Sequence, residues 1–211
     1  AGFGHSIRLC SIIPGKLGGC SEDCKWCAQS ARNAPHAIPA TRTDVREICR
    51  AGCQALDHQA SSFGIVNSGR RPTDKDLAHV TDSARQLGGQ VGRKLRICAS
   101  LGEIGTEEAR RLAEAGVRRY HHNLETSRRY FPNVVTSHGY EERIRTLRNA
   151  REAGLSICCG GLFGIGETWE DRIELAVTLR DEDVRLHLVP QRDRIELAVT
   201  LRDEVQPDVV P

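Results

Sequence analysis

Three cysteines within eight residues carry the most specific chemistry in the sequence: Cys20-Ser-Glu-Asp-Cys24-Lys-Trp-Cys27, led by Gly18 and Gly19. A loop that short must curl back on itself, so its sulfurs can meet one face of a metal cluster. Three ligands rather than four is the informative part, because a structural zinc site closes with four. A 4Fe–4S cube held by three thiolates keeps one iron open for a substrate or cofactor, where cluster ligation is otherwise completed by a fourth thiolate. The competing arrangement is a zinc loop that borrows a histidine such as His5 or His36.

Six further cysteines bring the total to nine in 211 residues. The count is odd and nothing suggests secretion, so disulfides are not expected and metal ligation is. Cys98, Cys158 and Cys159 lie in apolar runs. Cys10, Cys49 and Cys53 have no partner motif; the last two sit at i and i+4 of a helix and read as core or incidental positions. Lys and Arg number 30 against 28 Asp and Glu, interleaved, for a net charge of +2, which gives no basic block and excludes nucleic acid as the expected partner. The paired arginines Arg110-Arg111, Arg118-Arg119 and Arg128-Arg129 read as solvated faces. No run of about 18 apolar residues and no leader are seen, so neither a membrane span nor a signal peptide is expected and the cytoplasm is. There is no methionine, even at position 1, and the chain is expected to be a fragment.

The elements that must position these groups alternate between β-type runs and stretches of helical period, the pattern of βα units around a parallel sheet. Strands are expected at residues 7–13, 62–67, 95–101, 117–124 and 156–163. A helix is expected over about residues 43–56. Another starts at Thr106 as N-cap, with Glu107 and Glu108 in its first turn and Gly116 at its end. Tyr140, Ile144, Leu147 and Ala150 recur at helical spacing and are closed by Gly154, and Thr168 caps a helix carrying Ile173, Ala176, Val177 and Arg180. The class is α/β. One feature stands apart: residues 171–182, DRIELAVTLRDE, recur unchanged at 193–204, and each copy is followed by a segment ending in Val-Pro, Val189-Pro190 and Val210-Pro211. Identical helices do not suit a closed barrel, where each packs against different neighbours, and two copies make no solenoid.

CxxxCxxC with an aromatic before the last cysteine, on the loop after the first strand of a βα repeat, resembles the radical S-adenosylmethionine (SAM) superfamily. The segments LCSIIPGKLGGCSEDCKWCAQS (9–30), RICASLG (96–102), YHHNLETS (120–127) and SICCGGLFGIGETWEDR (156–172) together are similar to the biotin synthase family, over about residues 7–182. The resemblance implies a single (β/α) TIM-type barrel domain, incomplete here, since eight units take about 250 residues and this length holds about five to six. It implies that Cys20, Cys24 and Cys27 hold the 4Fe–4S cluster, that the open iron chelates S-adenosyl-L-methionine, and that Trp26 lies near the adenine. It also implies an auxiliary iron–sulfur cluster, 2Fe–2S or another type, that donates sulfur to dethiobiotin, a flavodoxin or ferredoxin electron donor, and a homodimer. Close relatives within the superfamily, hydrogenase maturases and methylornithine synthases, share the three cysteines but are not expected to carry YHHNLETS. A non-catalytic iron–sulfur or zinc-binding fragment is the alternative of a different class.

Strand alternation puts His121, Asn123 and Glu125 on one side of the fourth strand and Tyr120, His122 and Leu124 on the other. By resemblance, Asn123 and Glu125 contact SAM or the substrate's ureido ring, Glu125 suiting the ribose hydroxyls as a carboxylate acceptor. His121 stands where the family also shows Asn, and His122 reads as a satisfied structural histidine. Alternation also aims Cys98 into the barrel. Cys158 and Cys159 must point opposite ways, and the resemblance selects Cys158 as the inward one and, with Cys98, as a ligand of the auxiliary cluster. Gly160, Leu162, Gly164 and Glu167 fit the GxIxGxxE cofactor motif with Leu for Ile. Two departures stand out. Residues 62–69 carry no thiol where many relatives have one, and the arginine that the family takes from its last barrel strand has no counterpart in the matched residues.

Overall fold

A computed structural model describes residues 8–33 and 39–182; the second copy at 193–204 and the histidines His5 and His36 lie outside the described residues. Among the described residues six strands form one sheet in the order β2-β1-β3-β4-β5-β6. They are β1 Cys10–Leu17, β2 Thr41–Arg42, β3 Ser62–Asn67, β4 Arg96–Ser100, β5 Arg119–His121 and β6 Ser156–Cys158. Every neighbouring pair is parallel except β2 on β1. The helices α1 Val45–Asp57, α2 Asp74–Val91, α3 Thr106–Glu114 and α4 Tyr140–Glu152 supply the crossovers, and α5 Trp169–Asp181 follows β6. This is the expected α/β class, an incomplete (β/α) barrel.

Helix ends follow their capping chemistry. Asp44 accepts from Arg46 N to start α1, and Thr73 with Asp76, and Thr168 with Asp171, form reciprocal capping boxes at α2 and α5. The N-cap of α3 is Gly105 rather than Thr106, because the Glu108 carboxylate reaches back to Gly105 N at 2.9 Å and takes the cap's role one residue earlier. The structure adds α2, which the periodicity reading does not assign. The strands at 117–124 and 156–163 shrink to three residues each, since only Arg119–His121 and Ser156–Cys158 find ladder partners in register. The first strand begins at Cys10 and runs on through Gly15 to Leu17.

Two cores hold the layers. One joins Phe63, Ile65, Ile97 and Tyr120 of the sheet to Ile48 of α1, Leu77 and Leu87 of α2 and Leu112 of α3. The other joins Phe131, Val134, Tyr140, Ile144 and Leu147 to Leu124, Cys159, Leu175 and the cluster-loop residue Cys24. Tyr120, fully buried, donates to Gly102 O at 2.6 Å and accepts from Leu101 N at 3.1 Å, pinning the turn after β4. Tyr120→Phe orphans both backbone groups and should cost about 1–3 kcal/mol, read as a lower urea midpoint with an unchanged slope.

Candidate active site

The cysteine loop leaves the carboxyl end of β1, the edge at which sites collect in parallel barrels. Gly18 and Gly19 both take left-handed φ angles, 66° and 62°, so the turn into the loop needs glycine. Backbone bonds close the loop on itself: Cys20 N donates to Gln29 O at 3.2 Å, Ala31 N to Cys20 O at 2.8 Å and Cys27 N to Cys24 O at 3.0 Å. Cys20, Cys24 and Cys27 are free thiols. Burial pushes the Cys24 thiol up to about 11, against the pull of Arg143 and with a further push from Cys27 and Cys20, so the three sulfurs share one electrostatic neighbourhood. Among the described residues no group of three or more His, Cys, Asp or Glu side chains is drawn together as a single metal ion requires. A cube takes each thiolate at a separate iron, so it does not require the three sulfurs to converge on one ion. The donor set, three thiols and no fourth, suits a cluster with an open iron.

Nothing in the local sequence announces what holds this loop. Asp23 accepts from Thr136 N at 3.0 Å and Ser137 N at 3.1 Å and from the Thr136 hydroxyl, which together hold its carboxyl far below the usual carboxylate range. Glu22 accepts from Ser137 Oγ at 2.6 Å and pairs with His138 Nδ1 at 2.7 Å. Arg143 NH2 lies 3.2 Å from His138 Nε2. A guanidinium only donates, so Nε2 accepts, and the imidazole proton sits on Nδ1, donated to Glu22. Burial and the Arg143 charge lower the His138 pKa, in keeping with that neutral tautomer. The same Arg143 donates from NH1 to Asn123 O at 2.6 Å and stacks over Phe131. One buried arginine thus ties the clasp on the cysteine loop to the strand end that carries Asn123.

Asn123 and Glu125 stand beyond the end of β5, where Glu125 takes a left-handed φ of 71°. Leu162 N donates to Glu125 O at 2.7 Å and Glu125 N to Gly160 O at 3.2 Å, so backbone pairing gathers Asn123, Glu125, Gly160 and Leu162 at one place. Gly161 must be glycine because a Cβ would meet Glu125 O at 2.9 Å. Glu125 is buried, and its Oε2 has no partner. A buried, unpaired carboxylate oxygen at the strand ends is what a hydroxyl-bearing ligand would satisfy. Burial raises its pKa to about 6, with Arg143 and Asn123 pulling the other way. Between 4.5 and about 6 the folded chain therefore binds more protons than the unfolded one, and stability falls as pH rises through that window. Glu125→Gln removes this cost: it should stabilise the ligand-free chain at pH 7.5 by about 2 kcal/mol and not at pH 4, measured by urea unfolding at both.

The expected alternation brings Cys98 and Cys158 to the inner face of the sheet. Burial raises both thiols, Cys98 to about 11, and each feels Arg119 and Cys10. Cys159 points the other way into the second core, where burial lifts it to about 12. Glu167 accepts from Gly164 N, Ile165 N and Arg172 within its own loop and so braces Gly164. Two expectations change. His122 is buried but not satisfied: Nε2 has no partner, and burial holds its pKa well below the ordinary value. Cys49 is a core residue as read, whereas Cys10 is exposed and shares the electrostatic neighbourhood of the inward thiols. Arg110, Arg111, Arg128 and Arg129 form surface ion pairs, but Arg119 carries a buried Nε without a partner and belongs to the interior. Trp26 is half-buried against the second core beside Cys27.

The family model for the radical SAM superfamily matches residues 16–179, from the strand that launches the cysteine loop to the end of α5. The chain belongs to the radical SAM superfamily. Curated relatives of this radical SAM chain include the biotin synthase of Maridesulfovibrio salexigens, 45% identical over 183 residues, covering 86% of this chain and 55% of the relative. The biotin synthase of Clostridium perfringens is 43% identical over 182 residues, with 86% and 56% covered. The chain thus spans about half the length of the curated relatives it matches. Among solved structures, a methylornithine synthase superposes with a TM-score of 0.75 at 20% identity, over 90% of this chain and 56% of the other. A maturase of the [FeFe]-hydrogenase gives 0.71 at 15%, over 92% and 50%. Those two likenesses establish the shared fold. Among the described residues no helix is long and apolar enough to cross a membrane.

Proposed function

We propose that this chain is the cluster-bearing part of a biotin synthase, which inserts sulfur into dethiobiotin to give biotin. The observation that carries the reading is the pairing of a three-thiol loop at the strand ends with inward thiols, Cys98 and Cys158, deeper on the same sheet. When bound, the cube supplies an electron that cleaves S-adenosylmethionine to methionine and the 5′-deoxyadenosyl radical, and an auxiliary cluster supplies sulfur. Cys20, Cys24 and Cys27 hold the cube, and Cys98 and Cys158 ligate the auxiliary cluster. Glu125 accepts from the ribose hydroxyls, and Asn123 donates and accepts at SAM or the ureido ring. Gly160, Leu162 and Gly164 let the adenine lie against backbone, with Trp26 on the side of the cysteine loop. Flavodoxin or ferredoxin delivers the electron, the protein works as a homodimer, and the reducing cytoplasm keeps the nine thiols free.

Anaerobic reconstitution with iron and sulfide, followed by dithionite and SAM, tests the reading. Brown 4Fe–4S absorbance, deoxyadenosine release, and biotin formed from dethiobiotin by the full-length protein are the expected results. A stoichiometric zinc centre, or a cube whose EPR signal ignores added SAM, overturns it.

A further inference from the structure

The inner face of the sheet can be followed residue by residue. A Cβ placed on Gly64 of β3 would lie 3.3 Å from Ile12 Cγ2 and 4.0 Å from Cys98 Cβ, so Ile12, Gly64 and Cys98 share that face. Period two puts Cys10 of β1 and Ser62 of β3 there too, and these two residues are register partners. Cys98 pairs with Arg119 in register, and His121, two residues on, pairs with Cys158. Cys10, Cys98, Cys158 and Arg119 therefore line one inner face, and on the strand between Cys10 and Cys98 Ser62 lies beside Cys10 and Gly64, without a side chain, beside Cys98. The Arg119 Nε in the same row is buried without a partner, a donor on the face that the thiols share.

We infer that Cys10 is the third thiolate of the interior iron–sulfur site, supplied by β1 where residues 62–69 carry no thiol, with Arg119 balancing the charge of the ligand set. The inference rests on the reading of the interior as a second cluster site. Arg119 positions and neutralises; the ligands are the three sulfurs, each losing its proton to solvent on binding iron.

The test is metal stoichiometry on the anaerobically reconstituted chain, with the wild type alongside. Wild type should carry more iron and acid-labile sulfide than one cube. Cys10→Ala and Cys98→Ala should each fall to about four iron atoms per chain, the content of the remaining cube, while the SAM-induced EPR shift of that cube and the melting temperature stay unchanged. Moving the thiol one strand across, in Cys10→Ala/Ser62→Cys, should restore the lost iron. If Cys10→Ala keeps wild-type iron and sulfide while Cys98→Ala loses them, the assignment of Cys10 is overturned and the interior site stands. If Cys98→Ala and Cys158→Ala lose nothing either, the interior site itself is overturned.

Discussion

Cys24→Ala should leave a folded chain that cannot build its radical-generating centre: iron per chain drops by the content of one cube and deoxyadenosine falls below detection. Cys24 is buried at the edge of the second core, packed near Phe131 and Val134, so trimming its sulfur removes little apolar volume. The cost in stability is on the order of 1 kcal/mol. The cost in chemistry is total, because two thiolates do not hold a cube against loss. Cys49→Ala is the matched control. That thiol is equally buried, lies in the other core between α1 and α2, and should lose similar stability with every iron retained. Iron assay and deoxyadenosine release on the two variants separate a ligand from a packing residue.

Arg143→Met should be the most damaging change outside the cysteines. The side chain keeps its bulk over Phe131, but Asn123 O and His138 Nε2 lose their donor together. Orphaning two buried acceptors costs about 3 kcal/mol, which for a domain of this size lowers the melting temperature by roughly 6–12 °C. Freed of its donor, His138 can change tautomer and let go of Glu22, and Asn123 loses its fixed orientation. The Michaelis constant for SAM should then rise about tenfold, equivalent to about 1.4 kcal/mol. Steady-state deoxyadenosine formation over a range of SAM concentrations measures it, and a variant with wild-type stability and Michaelis constant would contradict the linkage.

What the sequence makes legible is what local chemistry writes. Thr168 before a helical stretch and Gly154 after one are read correctly because caps are properties of a few neighbouring residues. Strand three of the sheet is read at 62–67 because an apolar run with β-branched residues ends there. The short strands β5 and β6 are overdrawn for a physical reason: Leu124 and Cys159 are apolar because they enter the second core, not because the ladder continues. The α2 helix escapes because Thr81 and Ser83 are buried on its packed face and Gly88-Gly89 interrupts its end, which blurs the apolar stripe. Within the candidate site, the cysteine loop and the inward side of Cys98 are legible, since spacing and alternation are local. Cys10 is not, because its meaning depends on β4 and β6, and neither is the Glu22–His138 pair, whose members are 116 residues apart.

That separation sets the order in which the molecule can be assembled. The carboxylates between the cysteines, Glu22 and Asp23, have nothing to grip until residues 134–138 have been synthesised and docked. The loop's own backbone bonds need no such wait, so the loop closes on itself first and is anchored second, and its three thiols stay unclasped in any nascent chain that has not yet reached Thr136.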